Sequence, residues 1–85
     1  MTKYKYIGTE EQLIEYGFEK VGSGNYQVEI IHRAKYGEIT ILEYDNKKHV
    51  RAWYEDDTLG FIECNVSHIR FVKNLIEKGL VIVDE

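Results

Sequence analysis

The chain contains no proline, a single cysteine and a single tryptophan in 85 residues. With no proline, no segment lacks a backbone donor. One cysteine cannot close an internal disulfide, so stability has to come from packing. No apolar run comes near the roughly 20 residues that a membrane-spanning helix needs. The early lysines are followed by no apolar stretch of the kind a signal peptide requires, so a cytoplasmic protein is expected.

What is present is ordinary for a folded domain: 44% hydrophobic and 31% charged residues. At this length one domain, residues 1–85, is expected, burying roughly 60–65% of the unfolded surface. A separate cofactor domain does not fit, and no cofactor is expected. Eleven Lys and Arg stand against fifteen Asp and Glu, a formal charge of −4. Nucleic-acid binders usually carry a basic face. Here positive charge is scattered, with a local excess at Arg70, Lys73 and Lys78. The balance suits a soluble surface. A sharper reading is an acidic protein that competes with nucleic acid for a basic partner, with Glu55, Asp56 and Asp57 as its acidic cluster.

Periodicity divides the chain. Lys3 to Ile7 alternates as a short strand does. Thr9 then caps a helix, with Gln12 at capping-box spacing and Glu10 and Glu11 in the first turn. Gly17 ends it after Tyr16. A second helix, capped by Ser67 or Asn65 and ended by Gly79, carries Ile69, Val72, Leu75 and Ile76 as its buried stripe. Both helices stop alike. Leu13 and Leu75 stand four residues before the glycine, and Phe18 and Leu80 follow it, as in a Schellman motif. Between the helices, Tyr26–Ile31, Glu38–Tyr44 and His49–Glu55 read as strands, Leu59–Cys64 as a shorter one and Leu80–Val83 as a last one. The expected fold class is α+β: an antiparallel sheet of four or five strands, a long C-terminal helix packed on one face and a short N-terminal helix.

The turn Asp45-Asn46-Lys47-Lys48 sorts the central hairpin into two faces. A two-residue turn at Asn46-Lys47 sets Tyr44 opposite His49, Leu42 opposite Arg51 and Thr40 opposite Trp53. Ile39, Ile41, Val50, Ala52 and Tyr54 then form the core face, with Glu43 near the turn. Leu42, Tyr44, His49, Arg51 and Trp53 share the other face with Thr40. Tyr, Trp and Arg are enriched where proteins bind one another, so these five are the candidate partner-binding residues. A competing reading has the first helix or the Tyr4–Tyr6 strand covering Trp53. A base-stacking platform would need a basic groove, and only Arg51 and His49 supply charge.

Motifs for chemistry are scarce. Glu63, Cys64 and His68 suggest a metal site or an activated thiol, but structural zinc normally takes four ligands, and a free Cys is commonly a small core residue. Gly22-Ser23-Gly24 lacks the remainder of a phosphate loop and precedes a strand. Glu55-Asp56-Asp57-Thr58 lacks the alternating ligands of a calcium loop. No catalytic residue and no metal ligand is assigned, and an enzyme is the least supported class.

Two terminal segments carry a resemblance. Tyr4-Lys5-Tyr6-Ile7-Gly8-Thr9-Glu10-Glu11-Gln12-Leu13-Ile14-Glu15-Tyr16-Gly17-Phe18-Glu19 resembles the start of small uncharacterised proteins encoded by phages and prophages of Gram-positive bacteria. Leu75-Ile76-Glu77-Lys78-Gly79-Leu80-Val81 is similar to their ends. Together these segments cover a quarter of the chain. The resemblance implies an accessory role, acting on a host protein or serving phage replication or assembly, and carries over no catalytic residue. The expected function is a non-enzymatic protein-interaction module that acts on a protein partner or associates with itself. The alternative is a small nucleic-acid-associated protein using Arg70, Lys73 and Lys78.

Overall fold

The computed structural model describes residues 2–84. Its elements run β1 (Tyr4–Tyr6), α1 (Glu10–Glu15), β2 (Glu19–Gly22), β3 (Asn25–His32), β4 (Lys35–Tyr44), β5 (Lys47–Asp56), β6 (Gly60–Cys64), α2 (Arg70–Glu77) and β7 (Val81–Val83), with a 3₁₀ turn at Val66–His68 before α2. The strands make one seven-stranded sheet in the order β2-β3-β4-β5-β1-β7, with β6 also on β5. All pairs are antiparallel. The outer edge of β5 is shared, since Lys48–Val50 pair with β1 and Ala52–Asp56 pair with β6.

This corrects the expected fold class. The protein is mostly antiparallel sheet with two short helices, not a four- or five-stranded α+β fold with a long C-terminal helix. That helix is interrupted. The Asn65 side chain accepts bonds from the Ser67 backbone N–H at 3.1 Å and the Ser67 hydroxyl at 2.8 Å, which closes the 3₁₀ turn. Ile69 is then extended (φ −95°, ψ 123°) and buried. A β-branched residue accepts that backbone readily, and the conformation turns its side chain into the core. Only eight residues of helix remain. The additional strand is β2, which the Ser23–Gly24 turn folds back onto β3.

Both helix stops follow the Schellman pattern. Phe18 N–H bonds to Leu13 O and Leu80 N–H to Leu75 O, each at 3.0 Å, with Gly17 and Gly79 at positive φ. The capping box of Thr9 and Gln12 opens α1. Leu13, Val72 and Leu75 from the helices meet Tyr26, Ile39, Ile41, Val50 and Ala52 from the sheet in one core. Tyr6 and Val81 extend it across β1 and β7.

The hairpin register differs from the sequence reading. Tyr44 faces Lys47, Leu42 faces His49 and Thr40 faces Arg51, so the turn residues are Asp45 and Asn46. Both have positive φ, as a type I′ turn requires, and Asp and Asn tolerate it better than Lys does. The shift is two residues, so every side chain keeps its face.

The β3–β4 turn uses the same geometry with less suitable residues, Arg33 (φ 53°) and Ala34 (φ 61°). A left-handed non-glycine residue costs about 1–2 kcal/mol, and glycine returns part of that as entropy. Ala34→Gly is therefore expected to stabilise the fold by about 0.5–1 kcal/mol, raising Tm by roughly 2–8 °C. Thermal unfolding followed by circular dichroism checks this. An unchanged or lower Tm would contradict the left-handed assignment at Ala34.

Candidate interaction face

All the helical cover lies on one side of the sheet, because the buried helical residues join a single core with Ile39, Ile41, Val50 and Ala52. The alternate positions of the same strands point the other way. Pairing lays them out in rows. Glu29, Glu38, Trp53 and Glu63 form one row across β3, β4, β5 and β6. Gln27, Thr40 and Arg51 form the next. Leu42, His49, Lys5 and Ile82 form a third across β4, β5, β1 and β7. At the far end Ile31 faces Tyr36 and Glu55 faces Phe61, and the Tyr36 and Phe61 rings meet edge to face at 6.2 Å.

Trp53 is half-buried by its own neighbours on this face. Its indole N–H donates to Thr40 Oγ1 at 3.2 Å, and the Arg51 guanidinium lies 5.1 Å from its ring centre. Neither α1 nor β1 covers it, since Leu13 and Tyr6 are buried in the core on the opposite side. Arg51 is itself fixed by a two-pronged pair with Glu63, Nε to Oε1 at 2.9 Å and Nη2 to Oε2 at 2.7 Å. A partly exposed pair of this kind contributes about 0–1 kcal/mol; its larger effect is to hold the guanidinium over the indole. Arg51 draws the Glu63 carboxyl below its ordinary range. The pair's contribution is thus present above the usual carboxylate pKa and lost as pH falls through the lowered one.

The remaining candidates sit toward β1 and β7. Tyr44 stacks on His49 with ring centres 3.7 Å apart. His49 Nδ1 is 3.9 Å from Asp84 Oδ2, and Lys47 Nζ donates to Asp84 Oδ1 at 2.9 Å. Leu42 is half-buried beside them. The five sequence candidates therefore share one continuous face.

Sequence reasoning missed most of the other half of that face, namely Glu29, Ile31, Tyr36, Glu38 and Phe61, and named Glu55 only as part of an acidic cluster with Asp56 and Asp57. Ile31 is 74% exposed and Phe61 51%. Gln27 donates to Glu38 at 2.7 Å. Glu29, Glu38 and Glu55 have no cationic partner among the described residues. Tyr36 senses them. Its hydroxyl is pushed up to about 12, first by a hydrogen bond to Glu29, then by burial and by the charges of Glu29, Glu38 and Glu55. Strand alternation in Glu29–Ile31 and Phe61–Glu63 was the available signal, but the rows exist only once the register is known.

The other motifs resolve into local structure. Cys64 alternates with Glu63, which lies on the open face, and pairs with buried Ala52. Burial, then the charge of Glu63, raises its thiol pKa, the opposite of an activated thiolate. No group of three or more His, Cys, Asp and Glu fit to hold a metal forms among the described residues. Asp56 accepts from the Thr58 and Leu59 backbone N–H groups at 2.9 Å each, closing its own turn. Arg70, Lys73 and Lys78 are exposed on α2 and at its C-cap, with Glu77 among them. They lie away from the Trp53 face, because α2 packs on the opposite side of the sheet. No helix in the described residues is long and apolar enough to cross a membrane. The chain matches no family model, no curated protein and no solved structure.

Proposed function

We propose that this protein is a non-enzymatic interaction module whose open sheet face docks a basic segment of a partner protein. One observation carries the reading: an uncovered aromatic face, with Trp53 at its centre, bears three carboxylates that have no cationic partner among the described residues. Exposed apolar patches mark interaction sites, and charge complementarity selects and steers the partner. Self-association through this face is disfavoured, because packing two copies together would bring two sets of unpaired carboxylates close to each other. The resemblance of the terminal segments to small phage and prophage proteins supports an accessory role on a host or phage protein.

Trp53 is the sole tryptophan, so intrinsic fluorescence reports on the site directly. Titration with an oligolysine peptide is expected to give a saturable change that weakens with added salt. An oligoglutamate peptide should give none. Replacing Glu29, Glu38 and Glu55 together by Gln should weaken binding about tenfold or more, as loss of charge-assisted contacts does. An absent response to oligolysine, or an equal response in the triple variant, overturns the reading. Concentration-dependent dimerisation blocked by Trp53→Ala would replace it with self-association. Binding of single-stranded DNA that is lost on changing Arg70 and Lys73 would replace it with nucleic-acid association.

A further inference from the structure

Behind the Trp53 face, on the helix side of the sheet, a cavity of about 360 Å³ opens beside the β3–β4 turn. Four basic side chains line it: His32, Arg33 and Lys35 from the hairpin, and His68 from the 3₁₀ turn. This is a concentration of positive charge in a protein whose formal charge is −4.

The acids that ought to balance it are engaged elsewhere. Glu63 also lines the cavity, but both its oxygens hold Arg51 on the other side of the strand. Asp56, whose charge reaches Lys35, accepts two backbone N–H groups of its own turn. Neither Arg33 nor Lys35 forms an ion pair among the described residues. Lys35 rests over the Tyr54 ring at 5.3 Å. The cations also oppose one another, since His32 is held below its ordinary value by burial, then by Arg33 and by His68. Arg33 stands at the turn with a left-handed backbone that Arg rarely adopts. A further donor lines the same space. Asn65 spends its side-chain oxygen on Ser67, which leaves its amide N–H₂ free to donate.

We propose that this cavity is a binding site for a small multivalent oxyanion of the phosphate-monoester class. An anion here would relieve the repulsion that His32 meets from its basic neighbours, with Arg33 supplying a planar fork and Lys35 a point charge. The volume falls within the range of small-molecule pockets. It leaves room for a phosphoryl group and the start of its organic substituent. Of the groups facing His32, Arg33, Lys35 and His68 favour the anion. Cys64 remains a neutral thiol, because its pKa is raised, and Glu63 is neutralised by Arg51. An anion recharges His32, so affinity rises as pH falls.

Sulfate is the first probe, because it stays a dianion from pH 6 to 8 and leaves only the protein to titrate. Inorganic phosphate is the second. Resonance shifts in sulfate titrations at low ionic strength are expected to centre on His32, Arg33, Lys35 and Asn65. Binding should be roughly fivefold or more tighter at pH 6.0 than at pH 7.5. Arg33→Asn keeps a residue that tolerates the turn, and together with Lys35→Gln it should weaken binding about tenfold or more. Lys73→Gln should change nothing. Shifts spread evenly over Lys73 and Lys78, an affinity unchanged between the two pH values, or a folded Arg33→Asn/Lys35→Gln variant that binds as the natural chain does would each overturn the proposal. Trp53 fluorescence, recorded in the same titration, keeps this result separate from that of the open face.

Discussion

Leu75→Ala is expected to remove about 2–5 kcal/mol of stability. Leu75 is fully buried. It sits in the last turn of α2, where its carbonyl accepts the Leu80 N–H that ends the helix. Its side chain is therefore part of both the sheet–helix core and the helix stop, and α2 has only eight residues with which to absorb a cavity. A domain of 85 residues has about 4–13 kcal/mol in total, at 0.05–0.15 kcal/mol per residue. The substitution would consume a large share of that. Urea unfolding should show a much lower midpoint with an unchanged slope. Ile14→Ala, at an exposed position of α1, serves as the control and should move stability by no more than about 0.5 kcal/mol. Similar midpoints for the two variants would contradict the packing of α2 described above.

Gly37→Ala is the second large effect. A Cβ at Gly37 would lie 2.6 Å from the Trp53 carbonyl oxygen and 3.4 Å from Tyr54 Cα. Both obstacles are backbone of the paired strand, so no side chain can swing aside. β4 and β5 would have to part at the centre of the sheet, at a cost of about 1–3 kcal/mol. The effect should also reach the interaction face, because the strand that moves carries Trp53 outward. A lower Tm together with a red-shifted Trp53 emission is the expected result. A variant with natural stability and natural emission would show that Gly37 and Tyr54 are not paired as described.

Local features of this fold could be read from the sequence, and non-local ones could not. The stops at Gly17 and Gly79 are complete within six residues, so each motif announces itself. The sorting of Thr40, Leu42, Arg51 and Trp53 onto one face survives because strand alternation has a period of two, and moving the turn by one residue shifts the pairing by two. The break at Ile69 is different. Its apolar side chain fits the stripe of a longer helix, and only the core decides that it is extended. The acidic half of the face was hidden for a related reason. Glu29, Glu38, Trp53 and Glu63 belong to four strands, and nothing in any one strand shows that they form a row. The basic cavity likewise joins a hairpin turn to a segment that lies far along the chain.

The shared edge of β5 bears on the order in which the sheet is assembled. β3, β4 and β5 close on two-residue turns, so their pairing needs little loop entropy. β1 instead pairs with Val50 and Val83 through Tyr4, joining regions far apart in the chain. Such contacts are slow to form, because chain closure precedes their reward. The meander should therefore zip first and the β1–β7 ribbon last, held to β5 by three residue pairs. In native-state amide exchange, the strands under Trp53 should outlast those under Lys5 and Ile82. The open face would then have a durable acidic end and a labile end that frays without unfolding the rest.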